Sequence, residues 1–168
     1  MIYFDMDGVI ANFVKKMGAL GVSYPFTNRE LLYSTMKVNY DNLYVDLETV
    51  PGYTHFFTFY QSNPGKVKFL SGVPSDWTDD MLQSAWEQKA TWIMQYMKRF
   101  SAEDLIVCRT NDKPDYCKEG DVLIDDRLDT VMAWNYKGGK GLYYFADDLN
   151  PTQSSWLAQY VLSLTQIK

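Results

Sequence analysis

The chain has 168 residues, 46% of them hydrophobic and 16% aromatic, enough to bury one proper core and to make a single domain the default. A net charge of −5 offers no electrostatic footprint for duplex nucleic acid. It leaves a small phosphorylated substrate open, because a bound cation inverts the local field. No apolar run approaches the roughly 20 residues of a membrane span, and no basic-then-apolar leader precedes the first strand. Cys108 and Cys117, with His55 the one histidine, are too few for a zinc site, so reduced thiols in a cytoplasmic protein are expected.

In chain order, Ile2, Tyr3 and Phe4 form a β-branched and aromatic run that reads as a buried strand. Asp5 and Asp7 follow at period two, so an extended backbone points both the same way, and Gly8 permits a sharp departure. Apolar residues at 9, 10, 13, 14 and 17 predict a helix over 9–20. Residues 22–50 hold no clean strand. Thr27-Asn28 caps a short helix through Met36, and Tyr24, Tyr33, Tyr40 and Tyr44 crowd the stretch. Residues 15–50 therefore read as a small insertion, either a surface excursion with packed aromatics or a lid.

Regular patterning resumes at Pro51-Gly52. A helix is expected over 53–61 and a strand over 67–72, ending in Ser71-Gly72. Pro74 to Thr78 opens a long helix whose apolar stripe contains one odd member, Lys89. A strand over 105–109 leads into a polar loop, 110–121, carrying Lys113 and Lys118. A strand over 122–126 ends in the paired acids Asp125-Asp126. A short helix over 129–134, a glycine turn at 138–141, a strand over 142–145 and a final amphipathic helix after Asn150-Pro151 complete the chain. Strands alternating with helices predict an α/β fold: a mostly parallel, Rossmann-like sheet with helices on both faces. Its core comprises 1–14 and 51–168, with 15–50 inserted after the first strand.

Three strands of such a sheet end in polar groups at one edge: Asp5 and Asp7, Ser71 and Gly72, Asp125 and Asp126. Gathered carboxylates repel one another unless a cation binds, and hard oxygen donors without Cys or His point to Mg²⁺. Aspartate is a covalent acceptor of phosphoryl groups, so Asp5 suits a nucleophile and Asp7 an acid and base. Ser71 and a lysine of the 110–121 loop, Lys113 or Lys118, would hold the oxygens where transition-state charge spreads.

The set Asp5-Met6-Asp7-Gly8-Val9, strand-terminal Ser71, a downstream lysine and Asp125-Asp126 resembles the four motifs of the haloacid dehalogenase superfamily of phosphotransferases. Within it the chain is most similar to the 5′(3′)-deoxyribonucleotidase family. The similar segments are 5–12 (with Asn12 where Asp is usual), Val50-Pro51-Gly52, 89–93 and 122–127. The resemblance implies a Rossmann-like core with a cap after the first motif, and Mg²⁺-dependent hydrolysis of deoxynucleoside monophosphates through an aspartyl phosphate. It implies Asp5 as nucleophile and Asp7 as acid/base. Asp5, the Asp7 carbonyl and Asp125 would bind Mg²⁺, with Asp126 supporting. Ser71 and Gly72 would bind phosphate, and the Asp112-Lys113 pair favours Lys113 over Lys118. Tyr24, Tyr33, Tyr40 and Tyr44 are candidate substrate contacts. Two other readings stay open: a phosphatase for another small ester or a nucleic-acid end, and a catalytically silent phosphate-binding or interaction protein.

Overall fold

Strand β1 (Ile2–Phe4) lies at the middle of the sheet, and the alternation of its side chains divides the core in two. Phe4 packs edge-on to Phe56 and Phe69 on one face, while Tyr3 meets Trp134 on the other. The computed structural model describes residues 1–166. Its sheet has five parallel strands in the order β3 (Leu105–Arg109), β2 (Val67–Val73), β1, β4 (Val122–Asp125) and β5 (Lys140–Tyr143). Phe4 is in register with Phe69 on one side and Ile124 on the other.

Helices α3 (Tyr53–Ser62), α4 (Asp79–Tyr96) and α6 (Pro151–Leu164) belong to the larger core, over Phe4, Val67 and Phe69. Helix α5 (Leu128–Tyr136) covers the opposite face, where Trp134 packs with Tyr3, Leu70, Cys108 and Leu123. The sheet thus has helices on both faces, as the alternating pattern requires. The chain builds outward from β1 to β2 to β3, then returns to lay β4 on the other side of β1. The strand order reverses between β1 and β4, which is where open α/β sheets leave a crevice for ligands. No described helix is long and apolar enough to cross a membrane.

Two expected elements shift. The apolar spacing over 9–20 predicts a helix, but α1 spans Phe13–Ala19. The N–H groups of Val9, Ile10 and Ala11 all bond the Met6 carbonyl, at 3.2, 2.9 and 2.9 Å, winding a tight loop instead of a first helical turn. Asn12 then caps the helix by accepting from the Lys15 N–H at 3.0 Å. The buried side chains of Val9 and Ile10 mimic a helical stripe because the loop itself is packed inside. The last strand begins at Lys140 rather than 142, since the Lys140 N–H already bonds the Asp121 carbonyl at 2.7 Å.

Between β1 and β2 the chain makes its excursion. The outer part carries α2 (Arg29–Val38), capped by Asn28 accepting from the Leu31 N–H at 3.0 Å. The inner part, from Tyr40 to Val50, is tied to α4 and to the β1 loop. The Gln88 amide accepts from the Tyr44 N–H at 2.9 Å and donates to the Tyr40 carbonyl at 2.7 Å. Trp92 Nε1 donates to the Leu47 carbonyl at 2.7 Å. The Asn12 N–H donates to the Glu48 carbonyl at 2.7 Å, and the Val50 N–H to the Ile10 carbonyl at 3.1 Å. Leu43, Tyr44, Leu47 and Val50 are all buried.

Candidate active site

Asp5 is the residue after β1, and its N–H continues the ladder to Ile124 at 2.9 Å. That places its buried carboxylate at the strand-order reversal, with one oxygen accepting from the Met6 N–H at 2.7 Å. Asp125 ends β4 alongside. Lys113 comes from the helical turn Thr110–Tyr116 that follows β3, and it is only 1% exposed. Its Nζ lies 3.0 Å from Asp5 Oδ1 and 2.7 Å from Asp125 Oδ2. Burial alone would lower the Lys113 pKa, but the Asp125 and Asp5 carboxylates outweigh it and hold the ammonium above the ordinary lysine range. Lys118, by contrast, is exposed on the loop beyond.

Carboxylate oxygens of Asp5, Asp125 and Asp126 lie within 4.8 Å of one another, the one such metal-capable cluster among the described residues. Burial first, and then the neighbouring Asp5 and Asp125, push the Asp126 carboxyl well above the usual carboxylate range. Burial also raises Asp125, against the pull of Lys113. Asp126, expected only in support, contributes an oxygen to the cluster. The Asp7 carboxylate lies outside it, paired with Lys89, in keeping with an expected Asp7 ligand that is the main-chain carbonyl.

Two glycines make the close approaches possible. Gly8 has a positive φ of 79°, and a Cβ there would sit 2.2 Å from Asp126 Oδ2. A Cβ on Gly72 would sit 2.6 Å from Thr110 Oγ1 and 3.2 Å from Lys113 Cε. Strand β2 runs on to Val73, so Ser71 lies within it, fully buried, with a hydroxyl that has no hydrogen-bond partner. The edge opens into a cleft of about 480 Å³ lined by Asp5, Asp7, Gly8, Gly72, Lys113 and Asp126 at its floor.

Asp7 is held from another direction. Its Oδ2 is 2.7 Å from the Nζ of Lys89, the odd member of the α4 stripe, which is 0% exposed. That ammonium also lies 3.7 Å from the centroid of the Tyr44 ring. Asp7 Oδ1 is buried without a partner, as is the Tyr44 hydroxyl. Burial, then the charges of Asp7 and Asp5, raise the Tyr44 pKa well above its ordinary value. Lys89 is not among the expected site residues. Its sequence signals are a charge where the helix stripe calls for an apolar side chain and its place at the head of the family-like segment 89–93.

The four tyrosines divide. Tyr24 and Tyr33 line the cleft with Phe13, Phe26 and Phe145, and Tyr24 stacks on Phe145 at 5.2 Å between centroids. Tyr44 lies behind the wall on Lys89, and Tyr40 packs against Trp77. Arg29 of α2 and Arg127 also reach the cleft.

No known family profile matches this sequence, and no curated protein matches it. Among solved structures, a Had-superfamily hydrolase from Ehrlichia chaffeensis is similar over 97% of this chain and 96% of its own, at 10% identity and a TM-score of 0.47. A hydrolase from Streptococcus pneumoniae TIGR4 is similar over 90% of this chain and 96% of its own, at 13% identity and a TM-score of 0.45. Likeness this distant carries no weight on activity. The fold stands on its own sheet order.

Proposed function

We propose that the protein is a Mg²⁺-dependent phosphomonoesterase of haloacid dehalogenase type. In this reading it hydrolyses (deoxy)nucleoside monophosphates in the cytoplasm, as a 5′(3′)-deoxyribonucleotidase does. One observation carries the reading. A buried carboxylate, Asp5, stands at the strand-order reversal with Lys113 at 3.0 Å, and a second carboxylate, Asp7, lines the same cleft. Phosphate binding alone needs no such nucleophile and acid pair, which counts against a silent binding protein.

The residues would act in two steps. Asp5 attacks phosphorus, the bond to the leaving oxygen breaks, and Asp7 gives that oxygen a proton. Asp7 then takes a proton from the water that attacks the aspartyl phosphate, releasing inorganic phosphate and restoring Asp5. Lys113 and the Gly72 edge meet the negative charge on the transferring group. The donor set fits Mg²⁺: three carboxylates with no Cys or His among them, and the Lys113 ammonium as their one close counter-charge. Asp5, Asp125 and Asp126 would hold the ion, which when bound offsets charge between carboxylates and phosphate. The aromatic cleft wall supports an aromatic leaving group such as a nucleoside, and a volume of about 480 Å³ suits a small-molecule ligand.

The test uses Asp7→Asn with two leaving groups. Nitrophenolate leaves without a proton, so nitrophenyl phosphate should give a burst, then a slow steady state with phosphate trapped on Asp5. General acid–base help is typically worth ~10²–10⁴-fold, and deoxynucleotide turnover should fall further, since both steps lose it. Asp5→Asn should show neither burst nor turnover. Wild-type hydrolysis of both substrates by Asp7→Asn sinks the mechanism. A panel of deoxynucleotides, ribonucleotides and sugar phosphates decides the substrate class.

A further inference from the structure

We propose that Lys89 is a positioning residue that holds the Asp7 carboxylate in the orientation it presents to the substrate. The inference rests on the reading of Asp7 as the acid and base. An ammonium 0% exposed, in a helix face otherwise packed with Met81, Ala85, Ala90 and Ile93, is costly to bury unless its charge is matched. Lys89 is matched by the Asp7 Oδ2 contact at 2.7 Å and by the Tyr44 ring, 3.7 Å away. Tyr44 is in turn set by its N–H bond to Gln88, the neighbour of Lys89 on α4, at 2.9 Å. The carboxylate is therefore gripped by one oxygen only. Its other oxygen, Oδ1, is buried without a partner, so the Lys89 ion pair is the side-chain contact that fixes the rotation of a carboxylate whose residue lines the cleft. An apolar side chain at 89 would fill the space but leave the Asp7 carboxylate free to rotate. The loss would then appear in the proton-transfer steps and not in phosphate binding.

The experiment compares Lys89→Met and Lys89→Arg, each in the wild-type and Asp7→Asn backgrounds, with nitrophenyl phosphate and a deoxynucleoside monophosphate. Misplacing a catalytic group by about 1 Å can cost up to about 10²-fold. Lys89→Met should lower kcat by that amount, keep KM within a few-fold, and show a nitrophenolate burst, as the second step slows. Lys89→Arg should recover part of the loss. In the Asp7→Asn background Lys89→Met should cost nothing more, because both changes remove the same oriented carboxylate. Should Lys89→Met not fold cooperatively, Tyr44→Leu carries the same test, with a smaller fall in kcat that vanishes in Asp7→Asn. A wild-type kcat in the folded single variants, a rise in KM without a fall in kcat, or losses that multiply with Asp7→Asn each overturn the inference. Asp7→Asn turning over at the wild-type rate is a separate result, which removes the Asp7 assignment itself.

Discussion

The sheet edge and the excursion above it are built on different terms. At the edge, Asp5, Lys113 and Asp125 are locked by charge, hydrogen bonds and glycine-sized gaps, with almost no exposure. The excursion is itself divided. Its inner part buries Leu43, Tyr44, Leu47 and Val50 and is sewn to α4 by Gln88 and Trp92, while its outer part presents Tyr24, Leu31, Tyr33 and Val38 to solvent. The edge has one workable arrangement, because a buried ion cluster tolerates no slack. The outer excursion has many, because stacking and apolar contact accept substitutes. In the proposed reading the edge supplies the chemistry and the outer wall of the same cleft the selectivity.

That contrast can be broken at several points. The largest effect is expected from metal removal: protein prepared free of metal, in excess chelator, should lose turnover and regain it with Mg²⁺, because three carboxylates and a phosphate dianion cannot share the edge uncompensated. Full turnover in chelator would end the metal proposal. Next, Lys113→Ala should cost on the order of 10²–10³ in rate, as a lost charge-stabilising donor does, while Lys118→Ala stays near wild type. The reverse ranking in steady-state assays would show that the wrong lysine has been assigned. Leu47→Ala, in the inner excursion, should cost roughly 2–5 kcal/mol in urea unfolding and leave the order of substrate preference untouched. A changed order would mean the inner part contacts substrate after all. The smallest effect belongs to the outer wall. Tyr24→Ala and Tyr33→Ala should each alter kcat/KM for nucleotides by about 1 kcal/mol or more of lost stacking, and leave nitrophenyl phosphate nearly unchanged. Tyr40→Ala should not alter the ranking, since it packs on Trp77 away from the cleft.

Legibility in the sequence follows the same division. Asp5 and Asp125 announce themselves because a buried apolar run that closes on acids puts charge at a sheet edge, where it is costly unless something binds it, and the alternation of elements fixes a parallel sheet. Lys113 stands out only through the similarity of its segment to a known family, since nothing local in a polar loop says which lysine turns inward. Lys89 heads a family-like segment, yet its role is hidden: its partner Asp7 lies far away in sequence, and helical periodicity registers the charge as an irregularity without naming what satisfies it. The inner excursion lacks apolar periodicity because side chains of α4, bonding its main chain directly, do the anchoring. The loop after Gly8 passes for helix because packed apolar residues look alike whether wound regularly or not.

The central position of β1 also dictates the order in which the protein can be assembled. This three-residue strand is synthesised before both its partners, Val67–Phe69 on one side and Val122–Ile124 on the other. Until the ribosome has delivered β4, Ile2, Tyr3 and Phe4 form an apolar strand with at least one open edge, the kind of segment that invites association with other chains. A nascent chain ending before Asp125 carries Asp5 but not the strand that completes its surroundings. In the proposed reading, catalytic competence and the closing of that edge therefore arrive together, with β4.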